Sequence, residues 1–387
     1  ALLVGAELAV SVLLLVGAGV LTRSLIRLLQ VDVGARTDDV LVARLDLSLG
    51  RTLDEPRQRA LGMALVARAR ALPGVTTAAL GTALPPNGRM VQLTLKDVAT
   101  GAAPVSEYAA VAAPATPGFF AALGIPLLEG RLFDDRDDLG HPRVLIVSAD
   151  LAHDLFDGHA VGRRLSLPTP KDGNVTATVV GVVGNVKYRG LARPAEPTLY
   201  VPFAQQPWPT AFLVARTLGE PGLAAASLRH AIGAVDRRIG VVGIQPLAEI
   251  LSQEAAPPAF RTAVLWAVTG TCVAVAAIGV AGVIGYSVAR RTAEIGVRMA
   301  LGASQRDVGR MVVREALRLG AAGGAVGLVA AGATTRVLSG FVFGVTPGDP
   351  VSFALAAACL AVVTLAASAG PAWRASRVDP IAALRAE

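Results

Sequence analysis

The sequence predicts a membrane protein of four transmembrane α-helices, with a large outer α+β domain inserted between helices 1 and 2. Three observations carry this reading. Charged residues make up 17% of the 387, against about a quarter in soluble globular proteins. The deficit is concentrated, because 262–289, 319–335 and 351–369 contain no charged residue, and roughly 20 such residues cross a hydrocarbon core of about 30 Å. Between Arg27 and Pro258 the composition is instead that of a soluble domain.

The first span is expected over 1–22. It is apolar apart from Glu7, a residue costly at mid-membrane that should snorkel to the surface or face another helix. A cleavable leader is the rival reading, and Val16-Gly17-Ala18-Gly19 offers small residues for one. No basic segment precedes the run, which favours a span. The chain opens at Ala1, without methionine and already inside the apolar run, which suggests a piece of a longer polypeptide. Arg23 and Arg27 then lie on the outer side, a mild departure from the positive-inside rule.

The outer domain is expected over 23–259. Partial alternation over 40–49 reads as a strand, as do 108–113, 144–148, the β-rich run 176–183, and 241–244. Helical spacing marks 57–72, which stops at Pro73-Gly74, and also 148–156 and 224–235. Thr116-Pro117-Gly118-Phe119-Phe120 opens a short helix with proline in its first turn. Strands and helices alternating at this pace give an α+β or α/β domain, which Pro257-Pro258 is expected to close.

The second span is expected over 260–289, the third over 313–339 and the fourth over 350–371, followed by an inner tail over 372–387. Between spans two and three, 290–312 forms a charged segment that reads as helical. From 290 to 318 arginine stands at 290, 291, 298, 306, 310, 314 and 318, against Glu294, Asp307 and Glu315. This is the richest basic excess beside any span, so that side is cytoplasmic. The third span is rich in Gly and Ala, residues that let helices approach closely in a bilayer.

Several function classes fit poorly. A net charge of +7 could suit nucleic acid, but the arginines crowd beside apolar runs and no basic stripe is interleaved with aromatics. Cys272 and Cys359 sit inside apolar runs as small packed thiols. His141, His153, His159 and His230 lack ligand spacing, so no metal is expected. No phosphate-binding loop of the G-x-x-x-x-G-K-[ST] type occurs, and the three lysines are Lys96, Lys171 and Lys187. Any ATP-dependent work would draw on another chain, and no cofactor is expected. The run Asp134-Asp135-Arg136-Asp137-Asp138 lacks the spacing of a cation loop and reads as a solvated turn. Gly181-Val182-Val183-Gly184 follows a strand, but no helix clearly follows it, so its likeness to a phosphate turn is superficial.

Specific resemblance begins at Arg291-Thr292-Ala293-Glu294-Ile295-Gly296-Val297-Arg298-Met299-Ala300-Leu301-Gly302-Ala303, with Glu315 expected at the start of the next helix. This segment resembles the cytoplasmic loop of FtsX-like permeases of the macrolide-exporter (MacB) type. The closing run from Pro371-Ala372-Trp373-Arg374 through Asp379-Pro380 to Arg385 resembles that family's C-terminal signature. Thr116 to Phe120, Leu123 to Phe133, Val161 to Leu165 and Val179 to Val186 resemble its periplasmic domain in the same order. Lys187-Tyr188-Arg189-Gly190-Leu191 and Pro197 to Phe203 are similar to duplicated orphan permeases of the acidobacterial type, in which two four-span units share one polypeptide. The present chain would suit the second half of such a protein.

The resemblance implies a permease of the inner membrane with no catalytic residues. It implies mechanotransmission, in which a separate ATP-binding cassette subunit docks on a coupling helix and drives the periplasmic domain to expel substrate. The coupling set it implies is Arg291, Glu294, Ile295, Gly296, Arg298, Met299 and Gly302. On a helix Glu294 and Arg298 lie at i and i+4 and can pair. Ile295 and Met299 share that spacing and would form the apolar knob for the ATPase, while Gly302 would end the helix. Arg290 and Arg291 suit lipid phosphates. A second permease unit, fused or separate, is the further expected partner. Two rival readings are a signalling or scaffold protein that regulates a periplasmic partner such as a cell-wall hydrolase, and a membrane-anchored binding protein without an ATPase.

Overall fold

The computed structural model describes residues 2–48, 54–86, 91–97, 108–169, 173–301, 303–337, 343–344 and 348–377. Gly302 and the end of the C-terminal signature lie outside them. The chain divides into two compact units, Val31–Glu254 and the remainder.

In the unit Val31–Glu254 the strands are β1 (Val40–Asp46), β2 (Val75–Gly81), β3 (Val91–Asp97), β4 (Tyr108–Ala115), β5 (Leu127–Gly130), β6 (Val144–Ser148), β7 (Arg164–Thr169), β8 (Gly173–Val183), β9 (Thr198–Pro202), β10 (Thr210–Thr217) and β11 (Gly240–Pro246). The helices are α2 (Glu55–Arg70), α3 (Phe119–Leu123), α4 (Ala149–Phe156) and α5 (Ala225–Val235). The strands run in the order β11-β1-β10-β2-β4-β3-β7-β8-β6-β9, and β9 also pairs parallel with β4. That last pairing closes β4, β3, β7, β8, β6 and β9 into a six-stranded ring, so none of these strands is left with a bare edge. The open sheet β11-β1-β10-β2 joins the ring at one pair, Gly81 with Ala115.

Side-chain alternation along each strand builds three cores. Leu145 and Val147 of β6, Leu165 and Leu167 of β7 and Leu199 and Val201 of β9 fill one cluster inside the ring. Val144, Ile146 and Tyr200 point the other way, into a cluster shared with Val40, Val42 and Phe120. Leu41 and Leu45 of β1 face α2 and α5 through Leu65, Val66 and Leu228. Strand β1 is therefore buried on both faces, which is why its sequence alternates only in part.

The periplasmic-type motifs are explained locally. Leu80 N donates to the Thr116 hydroxyl at 2.8 Å, pinning β2. Gly118 (φ 89°) enters α3 and Gly124 (φ 62°) leaves it, both left-handed, a conformation that penalises a Cβ. Arg131 donates to both carboxylate oxygens of the buried Asp137, at 2.7 and 2.8 Å. Arg136 donates to Asp134 and lowers its pKa to about 2. Asp134 and Asp137 are thus held by Arg136 and Arg131, Asp138 by His141, and among the described residues no cluster suits a metal ion.

The other unit contains α1 (Leu2–Leu29), α7 (Thr292–Ala300), α8 (Gln305–Val337), α9 (Pro350–Ser376) and most of α6 (Leu247–Arg290). Helices α1, α6, α8 and α9 are long and apolar enough to cross a membrane. Two pairs of glycines on α8, each four residues apart, serve two neighbours. A Cβ on Gly323 would stand 2.8 Å from Leu8 Cβ, and one on Gly327 2.6 Å from the Ala9 carbonyl oxygen, so this face carries α1 at backbone distance. Gly320 and Gly324 face Thr364 and Leu360 of α9, at 3.0 and 2.8 Å on the same measure. Such small-residue seams are how helices pack where the lipid is as apolar as the side chains.

Helix α6 packs on α1 in the opposite sense. Trp266 donates to the Thr22 hydroxyl at 2.8 Å, and Gly279 lies against Glu7. Glu7 therefore faces another helix, and its Oε2 has no hydrogen-bond partner among the described residues. Arg23 pairs with Asp349, which also accepts from Ser352 N and Oγ at the start of α9. Arg23, one of the two outer arginines, is thereby neutralised.

Two expectations change. The outer unit closes at Glu254, close to Pro257-Pro258, but the second helix does not start after them, because α6 begins at Leu247 and runs through both prolines. The Gln253 and Glu254 carbonyls lose their donors there. Gln253 is exposed to solvent, and Thr262 donates its hydroxyl to the Pro258 carbonyl at 2.9 Å as the helix continues. Glu315 is not at the next helix start, since α8 begins at Gln305, where Ser304 and Asp307 cap each other through bonds of 2.6 and 3.3 Å.

Replacing Gly327 with Leu should force α1 from α8 and cost about 1–3 kcal/mol, measured by denaturation of the purified protein in detergent. Gly282→Ala, inside α6 where a Cβ meets nothing within 4 Å, should not destabilise and should add up to about 1 kcal/mol.

Candidate functional site

The charged segment folds as a short helix, α7, held between two long ones. Helix α6 ends at Arg290, Arg291 N donates to the Val288 carbonyl at 3.1 Å, and α7 begins at Thr292. Leu301 caps its end, with Leu301 N donating to the Val297 carbonyl at 3.0 Å, and α8 follows four residues later. Gly302, expected to terminate the helix, lies outside the described residues.

One face of α7 is anchored. Ile295 is 1% exposed and joins a cluster with Ile284 of α6, Val308 and Val312 of α8 and Ala375 of α9. Gly296 is buried and Met299 packs partly against the same cluster. Polar contacts tighten the hold. Ser287 donates to Glu315 at 3.0 Å, and Arg291 lies 3.7 Å from the same carboxylate. Arg298 pairs with Glu294 at 2.6 Å and also reaches the Met311 sulfur at 3.2 Å. The i, i+4 pair thus forms as expected, on a solvent-facing side where it adds only tenths of a kcal/mol.

The apolar knob expected at Ile295 and Met299 is therefore corrected. Ile295 is buried in the bundle of the same chain and offers nothing to a partner. The apolar residues left outward are Ala300 and the series Ala293, Val297 and Leu301, with Val297 43% and Leu301 83% exposed. That series stands at i, i+4 and i+8, one stripe that runs along α7 onto its C-cap residue Leu301. Their signal was present in the sequence, but so was the equal signal of Ile295 and Met299. A helix of nine residues with two apolar stripes does not say which one turns inward.

The fold and this site together define a polytopic membrane protein with a large outer domain and a clamped, outward-facing helix at its arginine-rich end. Residues 266–380 match the FtsX-like permease C-terminal model and residues 8–232 the MacB-like periplasmic core domain model. The chain belongs to the FtsX-like permeases of the MacB type. The macrolide export ATP-binding/permease protein MacB of Chromobacterium violaceum is 33% identical over 283 residues, covering 70% of this chain and 42% of that protein. The pyoverdine export ATP-binding/permease protein PvdT of Pseudomonas syringae pv. tomato is 26% identical, covering 68% and 40%. The chain therefore spans about two fifths of the length of these relatives. The crystal structure of the periplasmic region of MacB from Actinobacillus actinomycetemcomitans aligns with a TM-score of 0.39 at 13% identity, covering 57% of this chain and 94% of that one. The four apolar helices belong to the inner membrane, and the domain between the first two is periplasmic.

Ile295→Asp should destabilise the membrane unit by on the order of 3 kcal/mol, because it buries an unpaired charge in a filled core. Val297→Asp should stay within about 0.5 kcal/mol of the parent. Thermal unfolding of both variants in the same detergent checks the contrast.

Proposed function

We propose that this chain is the permease part of an ABC-type complex that converts cytoplasmic ATP hydrolysis into movement of its periplasmic domain. The observation that carries the reading is the exposed stripe Ala293-Val297-Leu301 on a helix whose other face is fixed in the bundle. A helix anchored through Ile295 to α6, α8 and α9 cannot be pushed without displacing those helices. Force applied to the stripe would therefore enter the membrane unit directly, as a shift of packed helices. In this reading the ATPase is a separate chain or a segment beyond this one, and no hydrolytic step is assigned to the residues here. A second permease unit, fused or separate, would complete a symmetric target for a two-domain ATPase. Export of a small molecule from the periplasm is the output that the names of the relatives support, namely a macrolide or a pyoverdine.

The coupling residues are Val297 and Leu301, flanked by Glu294 and Arg298, with Ile295, Gly296 and Met299 as the anchoring face. Arg291 steadies the junction through Glu315.

The test is a mild-detergent purification from native membranes, with co-purifying proteins identified. A stoichiometric P-loop ATPase should accompany the parent chain, and Val297→Asp/Leu301→Asp should reduce it at least tenfold while the chain remains folded. Retention of the ATPase by that variant would remove the coupling role from the stripe. A cell-wall hydrolase recovered with the ATPase would change the output from export to signalling.

A further inference from the structure

Among the described residues below the membrane spans, the carboxylates are already committed. Glu294 holds Arg298, Glu315 holds Ser287 and Arg291, and Asp307 closes the cap with Ser304. The arginines outnumber them. Arg306, Arg310, Arg314 and Arg318 of α8 are all exposed and make no ion pair among the described residues, although Arg310 lies within the field of Asp307. Spaced by four, they form a ladder about 18 Å long over about 120° of the helix surface.

The depth of this ladder follows from helix register. Gly320 faces Thr364 and Gly324 faces Leu360, so each step up α8 is a step down α9. Carried downward, Arg310 is level with Arg374, itself exposed, and Met311 is level with Trp373. Trp373 is 58% exposed, and the Arg377 guanidinium stacks 4.3 Å from its ring centre. Exposed tryptophan is the usual marker of the membrane–water interface. Arg310 and Arg374 therefore sit at headgroup level, while Arg314 and Arg318 lie one and two turns deeper, within reach of the phosphates by snorkelling.

We propose that Arg310, Arg314 and Arg318 form a binding site for anionic phospholipid headgroups of the inner leaflet, its lower end at the depth of Arg374. Lipid is favoured over an acidic protein because the ladder continues directly into the uncharged stretch 319–335 and shares its level with an interfacial tryptophan. The guanidinium fork also matches a phosphate diester in geometry. A bound headgroup would fix the lower end of α8, against which α7 is packed. The inference rests only on the chain being a membrane protein, and it stands or falls separately from any ATPase.

The experiment uses the full chain in mild detergent, with phosphatidylglycerol, phosphatidylcholine or inorganic phosphate added, and reads apparent affinity from thermal shift and bound lipid from native mass spectrometry. Phosphatidylglycerol should bind and stabilise, and phosphatidylcholine and inorganic phosphate should not. The variant R310Q/R314Q/R318Q should weaken phosphatidylglycerol binding about fivefold per arginine, on the order of a hundredfold in all. R68Q, an exposed charge in the periplasmic domain, should leave it unchanged. Equal response to both lipids, an equal response to free phosphate, or undiminished affinity in the triple variant would overturn the assignment. Undiminished lipid affinity with loss of a co-purifying ATPase would assign the ladder to an acidic protein surface instead.

Discussion

Where Gly323 and Gly327 face α1, and Gly320 and Gly324 face α9, the helices approach with no side chain of α8 between them. In a hydrocarbon solvent this close contact must come from dispersion and shape, because lipid competes equally for apolar surface. Helix α8 is consequently the centre of the membrane unit, with α1 on one seam and α9 on the other. Helix α6 is held differently, with side-chain hydrogen bonds to its neighbours, from Trp266 to Thr22 of α1 and from Ser287 to Glu315 of α8.

That difference bears on how motion could enter the molecule. The glycine seams leave little room for α8 to slide against α1 or α9. In the proposed coupling, a push at α7 would pass through Ile295 to the lower ends of α6, α8 and α9, with which it shares one hydrophobic cluster. The same short helix therefore has two jobs that divide between its faces. Its buried face makes it part of the bundle, and its exposed face makes it available. Arginine on the neighbouring turns of α8 sets where this assembly sits relative to the lipid surface.

Much of this architecture was legible in the sequence, because spans and exposed arginines are composition-level signals. Strand β6 was read with its observed limits, and β1, β4, β8 and α2 within a few residues. The strands that went unread had weak local signals. Strand β2 is Val-Thr-Thr-Ala-Ala-Leu-Gly, and β9 is framed by Pro197 and Pro202. The closure of the ring depends on β4 pairing with β9, whose residues lie more than eighty positions apart and advertise nothing to each other. Helix α6 began earlier than its prolines suggested, since a solvent-facing turn can leave carbonyls to water. At the candidate site the i, i+4 pairing of Glu294 with Arg298 was readable. The inward turn of Ile295 was not, because it is decided by α6, α8 and α9 and not by α7.

Helix α7 is fixed by its Ile295 face and open on its Val297 and Leu301 face. Single cysteines at 295, 297 and 301, in a chain whose Cys272 and Cys359 are replaced by alanine, would be exposed to a membrane-impermeant maleimide in sealed vesicles. Rapid labelling is expected at 297 and 301 in inside-out vesicles only, with 295 protected until the protein is denatured. Labelling of 295 as fast as 297, or labelling of 297 from the periplasmic side, would contradict this arrangement.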